Sequence, residues 1–316
     1  MRYYNGNETD NYFRQDIINN HRTSTNLQID YTQSFEKATL ELGSKSYYQQ
    51  YDNNLKGALD AVESTFVYDE IRQALYANYT HKFDKLVLQA GLRTEYAKTN
   101  IDEKAENEYI AWLPMLSLKR QLNKSQSIKM NLRRRIYRPG IDDLNPFEVW
   151  YDAAHVSKGN SNLTPAYSND LELVYSKNFN SNMVSPKLFV KYLTDDFHHV
   201  SFVNSNNVTE TVVDNIGKSW EYGFSMDYSL KLTNWWMLNG FASVSNTIIY
   251  SDDSFSEMAD NTQEKISFQT NANSVMTFFK SWNFYDDGGL SHTLYLLPKN
   301  HFKGFTMDNW VGKEYF

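Results

Sequence analysis

Residues 220–230 read WEYGFSMDYSL, and they set Trp220, Tyr222, Phe224, Met226, Tyr228 and Leu230 against Glu221, Gly223, Ser225, Asp227 and Ser229. Large apolar side chains thus fall on every second position, with small or polar ones between. Successive side chains of a strand point to opposite faces, so this stretch is a strand with one oily and one wet face. The same period recurs on both sides of it. Thr23, Thr25, Leu27, Ile29 and Tyr31 alternate with Ser24, Asn26, Gln28 and Asp30. Leu86, Leu88, Ala90, Leu92 and Tyr96 face away from Gln89, Gly91, Arg93 and Glu95, and Ile266, Phe268, Ala272, Met276 and Phe278 from Ser267, Gln269, Asn271 and Asn273. The fold is all-β.

Length separates two all-β architectures. Strands of soluble sandwiches run about 5–6 residues, whereas a strand tilted across a bilayer needs about 9–11. The alternating stretches here cover 22–32, 36–48, 66–80, 85–99, 109–121, 126–138, 169–178, 185–203, 208–230, 235–250 and 262–279. Their connections alternate short and long. Short ones fall at 33–36, 81–84, 122–125, 178–182 and 232–234, and longer ones at 49–65, 100–108, 139–168 and 251–261. A membrane barrel with tight periplasmic turns and long outer loops has this parity. The connection at 204–207 is short where parity asks for a long one, so 185–203 and 208–230 are expected to form a tall hairpin above the membrane.

The expectation is therefore an antiparallel transmembrane β-barrel, incomplete, with about 11–13 strands of a larger one. Residues 282–316 are expected to add two strands, although alternation lapses through YDDGGLSHTLYLLPKN (285–300). The whole span 1–316 reads as one barrel domain of a longer chain, its outset MRYYNGNETDNYF lacking the apolar core of a secretory leader.

Composition agrees. Aromatic residues make up 16% of the chain, with 23 tyrosines, while mean hydropathy is −0.63. Barrels use Tyr and Trp at the two lipid–water boundaries, where a ring lies in lipid and a polar tip in water. The net charge of −7 argues against a nucleic-acid partner. The absence of cysteine removes disulfides, thiolate metal sites and cysteine nucleophiles. A tyrosine-rich soluble β-protein is the alternative at this level.

Residues 133–165, RRRIYRPGIDDLNPFEVWYDAAHVSKGNSNLTP, form the one connection with a character of its own. Pro139, Pro146 and Pro165 each remove a backbone donor, and Gly140 and Gly159 permit turns. Such punctuation over thirty-odd residues points to a folded functional loop. Arg133 and Arg135 share the inner face, to line an anion-attracting lumen or to pair with lumenal acids, Glu95 among them. Strict alternation aims Arg134 at lipid, which places it near the outer rim.

This segment resembles the outer-membrane β-barrel proteins of Bacteroidetes-type bacteria, usually described as TonB-dependent receptors. Arg134, Arg135, Ile136, Arg138, Pro139, Leu144, Asn145, Pro146 and Phe147 match that family's R-R-I-x-R-P…L-N-P-F pattern. Gly159, Asn160, Leu163, Pro165, Ser168, Glu172, Leu173 and Tyr175 match its second motif and the strand after it, with departures at Ser161 and Ala166. The stretches 68–83, 88–96 and 215–224 resemble further strands of the family, so the likeness covers most of 22–284. It implies a bacterial outer-membrane receptor, a monomeric barrel surrounded by outer-membrane lipid. Such a receptor takes up a scarce solute with energy from the TonB complex, through a plug domain and TonB-contacting segment missing from these residues. Arg135, Arg138, Pro139, Asn145, Pro146, Phe147, Gly159 and Asn160 are the ligand-binding residues it suggests. A non-transporting surface-binding or assembly barrel is the second reading.

No cofactor, metal or catalytic site is expected. His198 and His199 are adjacent on a strand and point apart, against a two-histidine chelate. Asp142–Asp143, Asp195–Asp196, Asp252–Asp253 and Asp286–Asp287 lie in or beside loops, where charge is solvated. No G-x-S-x-G, P-loop or H-E-x-x-H motif occurs.

Overall fold

The computed structural model describes residues 2–4, 11–13, 16–57, 63–102, 105–251, 262–277, 283–285 and 292–296. Two short strands, β1 (Arg2–Tyr4) and β2 (Asn11–Phe13), pair with each other and, among the described residues, with no other strand. Eleven long strands follow: β3 (Asp16–Ser34), β4 (Ala38–Gly57), β5 (Glu63–Lys82), β6 (Leu86–Ile101), β7 (Ala105–Asn123), β8 (Gln126–Tyr137), β11 (Ala166–Phe179), β12 (Asn182–Val203), β13 (Thr209–Lys231), β14 (Trp236–Ser251) and β15 (Thr262–Thr277). Each pairs antiparallel with its neighbour in this order. Between β8 and β11 lie a one-turn helix α1 (Ile141–Leu144) and two short strands, β9 (Val149–Trp150) and β10 (His155–Lys158). Among the described residues the two edges of this sheet do not meet, so the wall is an open, incomplete barrel.

Side-chain rows run across the wall as alternation requires. Tyr222, Val190, Leu171, Leu132, Leu116, Ala90, Tyr79 and Leu40 are successive cross-strand partners on the outer face. One residue along, the inner face runs Glu221, Lys191, Asp170, Arg133, Met115, Gly91, Asn78 and Glu41. One row is oily and the next charged. Register is therefore locked, because a one-residue slip would turn every charge to lipid. On the inner face Gly43 sits between Asp30 and Tyr76, where a Cβ would come within 2.2 Å of the Tyr76 ring. Its missing side chain lets the Tyr76 hydroxyl cross to the Asp30 carboxylate.

All five short connections are turns of two to four residues. Asn180 takes φ 54° in the turn between β11 and β12, a left-handed conformation that asparagine tolerates. At the other end the strands overrun the expected loops. Residues 49–57 and 63–65 are strand rather than connection, and so are 100–101 and 105–108. The outer face turns polar there, with Gln50, Asp52, Asn54, Asn100, Glu106 and Glu108, so the side-chain period fades while the backbone ladder continues. The hairpin of β12 and β13 is paired to its tip, from Met183–Ser229 to Val203–Thr209, with irregularities between Thr194 and Phe197.

Of the stretch 282–316, the described residues fill one interrupted strand position. β16 (Asn283–Tyr285) and β17 (His292–Leu296) both pair with β15, at Val275–Thr277 and Ile266–Thr270. They lie end to end on one edge, with pairing offset by two residues across the break. The lapse of alternation after 285 marks that break. Asp252–Asp253, Asp286–Asp287, the side chain of Phe278 and the stretch after 296 lie outside the described residues.

The two faces carry a test. Leu132→Lys, in the middle of the oily row, should cost about 2–4 kcal/mol of folding free energy in bilayers. Asn78→Lys on the inner row should cost much less. Urea titration of refolding into lipid vesicles reads both.

Candidate functional site

The wall's concave face is spanned by residues 138–165. Leu144 and Leu163 are buried in a cluster with Tyr51, Phe66, Tyr68, Ile101 and Val213, and Ile141, Phe147 and Phe197 pack against it. Tyr51, Phe66, Tyr68 and Ile101 come from β4, β5 and β6; Phe197 and Val213 come from β12 and β13. The loop therefore clasps two distant parts of the wall. Phe147 meets Phe66 edge-on at 6.2 Å, and Phe66 meets Tyr51 likewise at 6.2 Å. Phe66 has no exposed surface.

Polar contacts shape the clasp from within. The Gly140 N–H donates to the Asp143 carboxylate at 2.8 Å, holding α1 at its start. Asn145 accepts the Phe147 N–H on its side chain at 3.0 Å and the Gly159 N–H on its carbonyl at 2.8 Å. The Asn160 N–H donates to the Asp143 carbonyl at 2.7 Å. A Cβ at Gly159 would sit 2.4 Å from the Asp143 carbonyl and 2.6 Å from that of Asn145, so only glycine fits between those backbones. Outward, Asn160 Nδ2 donates to Asp214 at 3.3 Å, and Asn107 Nδ2 to the Ser161 carbonyl at 3.4 Å. β10 adds a parallel pairing with β13 through His155–Lys158, reinforced by the Lys158–Glu210 ion pair.

The arginines before the clasp are all engaged. Arg133 binds Asp170 at 3.1 Å and Glu172 at 2.8 Å, and Arg135 binds Asp170 at 3.0 Å. Their partners are the acids of β11, not Glu95. Glu95, 4% exposed, takes Arg93 at 2.7 Å and also Arg138, while Arg138 Nε donates to the Tyr109 hydroxyl at 2.7 Å. Burial and the nearby Arg72 guanidinium push Arg138 down to about 10, so it stays charged at neutral pH. Arg134, on the outer face, lies over the Tyr167 ring at 4.4 Å.

Of the eight residues expected to bind ligand, Arg138 and Pro139 line a hollow of about 530 Å³ between α1 and strands β3–β5, with Arg22, Tyr47, Glu70 and Arg72 among its other walls. Asn145, Phe147, Gly159 and Asn160 hold the clasp's own shape, and Arg135 is ion-paired beside it. Pro146 follows Asn145 and brings no backbone donor. Arg22, Tyr47 and Arg72 carried no sequence signal, because their neighbourhood depends on two successive strand registers, Arg22 opposite Tyr51 and Tyr47 opposite Arg72.

The two histidines of the 198–199 pair turn to different carboxylates. His198 Nε2 lies 3.0 Å from Asp196, and His199 Nε2 lies 3.8 Å from Asp143. Among the described residues no group of three or more His, Asp or Glu could hold a metal. Ser219 joins Asp196 and His198, but the carboxylate stands between them, accepting the Ser219 hydroxyl at 2.9 Å. An activated serine gives its proton to the imidazole; here it faces the acid, and the trio braces the irregular turn at Asp195, φ 55°.

Residues 1–293 match the model of the outer membrane protein beta-barrel family. The chain belongs to this family. It is therefore a bacterial outer-membrane protein. Comparison with curated protein sequences gives no match. Among solved structures, this family member is similar to the siderophore receptor PirA from Pseudomonas aeruginosa, at 15% identity and TM-score 0.53, covering 86% of this chain and 53% of that one. It is similar to the FrpB iron transporter from Neisseria meningitidis at 12% and 0.53, covering 82% and 43%. For the copper transporter OprC the figures are 10% and 0.60, covering 83% and 44%. At these identities the likeness is one of fold, and the chain spans about half the length of those structures.

Two outcomes test the clasp. Gly159→Ala should free residues 139–165, read as faster amide exchange and protease cleavage there with the wall's exchange unchanged. Asp196 gives a pH dependence. Burial raises its carboxyl, but the bond and charge of His198, the Ser219 hydroxyl and the Phe197 N–H outweigh this and hold it below 3.8. A lowered acid stabilises the fold above its unfolded value, and that stability is lost as pH falls through the folded one. Exchange at 194–199 should therefore accelerate below pH 3.8, and Asp196→Asn should flatten this response.

Proposed function

We propose that the parent protein is a TonB-dependent receptor that captures a scarce solute at the outer surface and admits it to the periplasm, as the resemblance to Bacteroidetes-type receptors implies. What carries the reading is the clasp. It bridges two parts of the wall and leaves a water-accessible hollow on the lumenal side, where a solute would rest before entry. Arg138 and Pro139 would touch that solute, while Arg135, Asn145, Pro146, Phe147, Gly159 and Asn160 hold the mouth in shape. Similarity in fold to a siderophore receptor and two metal transporters supports a receptor over an enzyme. In this reading the parent also carries a plug domain and a TonB-contacting segment, and the barrel acts as a monomer.

Deletion of the gene should abolish growth on one limiting nutrient, and loss of the TonB complex should reproduce that defect. Arg138→Ala, expressed at normal level, should raise the nutrient concentration needed for half-maximal growth. Unchanged growth of the deletion strain across limiting metals, vitamins, peptides and oligosaccharides would overturn the proposal in favour of a non-transporting surface-binding barrel. So would a parent reading frame without a plug domain.

A further inference from the structure

The five tight turns share two features beyond their length. Each carries or adjoins an exposed apolar side chain: Phe35, Phe83, Leu122, Phe179 and Trp235. Each also carries or adjoins an exposed cation: Lys37, Lys85, Arg120 with Lys124, Lys177 and Lys231. The same segments hold only two acids, Glu36 and Asp84. Among the described residues none of the six cations enters an ion pair.

Hydrogen bonds lace these turns into one edge. The Lys82 N–H donates to the Lys37 carbonyl at 2.7 Å, the Gln121 N–H to the Lys85 carbonyl at 2.8 Å, and the Asn178 N–H to the Ser125 carbonyl at 2.8 Å. The Lys231 N–H donates to Asn182 Oδ1 at 2.6 Å. The six cations therefore follow one another along a continuous rim. Four of the apolar residues lie on the lipid side: Phe83 meets His81 at 4.3 Å, His81 shares a row with Leu88 and Leu118, Phe35 borders Tyr79 and His81, and Leu122 and Phe179 continue the outward parity of Leu118 and Leu173. Phe179 lies under the Lys177 ammonium, 6.0 Å from it. The opposite end of the sheet is rich in acids, with Asp102, Asp142, Asp143, Asp152, Asp195 and Asp196.

We propose that this rim docks anionic phospholipid headgroups of the periplasmic leaflet. At each turn the apolar side chain enters lipid below headgroup level, and the neighbouring cation meets a phosphate just above it. A soluble acidic partner would need the charges alone. The ring or leucine beside each cation, on the lipid side at four of the five turns, is what fits a lipid. The basis is the barrel's membrane orientation, with short turns in the periplasm, and it is independent of any transported solute.

The test uses the full-length protein in micelles containing equal amounts of phosphatidylglycerol and phosphatidylethanolamine. Lipid retained through gel filtration is then quantified. Wild type should retain phosphatidylglycerol severalfold over phosphatidylethanolamine. The combined variant Lys37→Gln, Lys85→Gln, Arg120→Gln, Lys124→Gln, Lys177→Gln and Lys231→Gln should retain the two equally, with its heat-modifiable electrophoretic shift intact. Raising salt from about 0.1 M to about 1 M, which shortens the screening length from about 10 Å to about 3 Å, should erase the preference in wild type without any substitution. Equal retention by wild type overturns the proposal and leaves the charges to a soluble acidic partner. A preference that both the variant and salt leave intact overturns it as well.

Discussion

A strand in lipid has no water to satisfy its peptide groups, so every N–H and C=O must find a partner in the neighbouring strand. That requirement underlies the rest of this structure. It holds the eleven long strands in one sheet and fixes where each side chain emerges. Because pairing fixes emergence, a single alternating pattern suffices to make an oily outer row beside an inner row of charges. The inner row is then close enough to neutralise itself, as Lys191 does with Glu221 at 2.8 Å and Arg133 with Asp170 at 3.1 Å.

Much of this was legible in the primary structure. The contrast between faces is what makes a strand readable, and it is strongest where one face meets lipid, so all eleven long strands were visible. It fails at 49–57, where Gln50, Asp52 and Asn54 leave the outer face polar although pairing continues through it. Strand ends above the membrane were therefore misplaced. Arg133 and Arg135 do pair with lumenal acids of a neighbouring strand, and only the example of Glu95 was misplaced, for another reason. Glu95 and Asp170 both lie on the inner face, and choosing between them needs the register of β8 against β11. Register across a thirty-residue excursion has no signal in local pattern.

The clasp shows a similar division. Its glycines and prolines announced a structured loop, but not that Asn145, Gly159 and Asn160 would be consumed in folding it. Residues matched to a family motif are often read as touching ligand. Here Asn145, Gly159 and Asn160 hold backbone to backbone, and beside Arg138 and Pro139 the side chains facing the hollow, such as Arg22 and Tyr47, belong to strands without any motif. The motif's chemistry is that of a hinge pin: rigid, inward-looking and intolerant of a single extra methyl.

The clasp also has a consequence for assembly. Its buried side chains from 141–163 dock on residues 51–101 and on 197–213, two walls far apart along the chain. Contacts of such high sequence separation are slow to form, because both surfaces must exist before either rewards the closure. The walls can zip together strand by strand as neighbours, whereas the clasp must wait for them. Until then the nascent sheet is a trough with an empty floor, and the last step of maturation is the one that furnishes its interior.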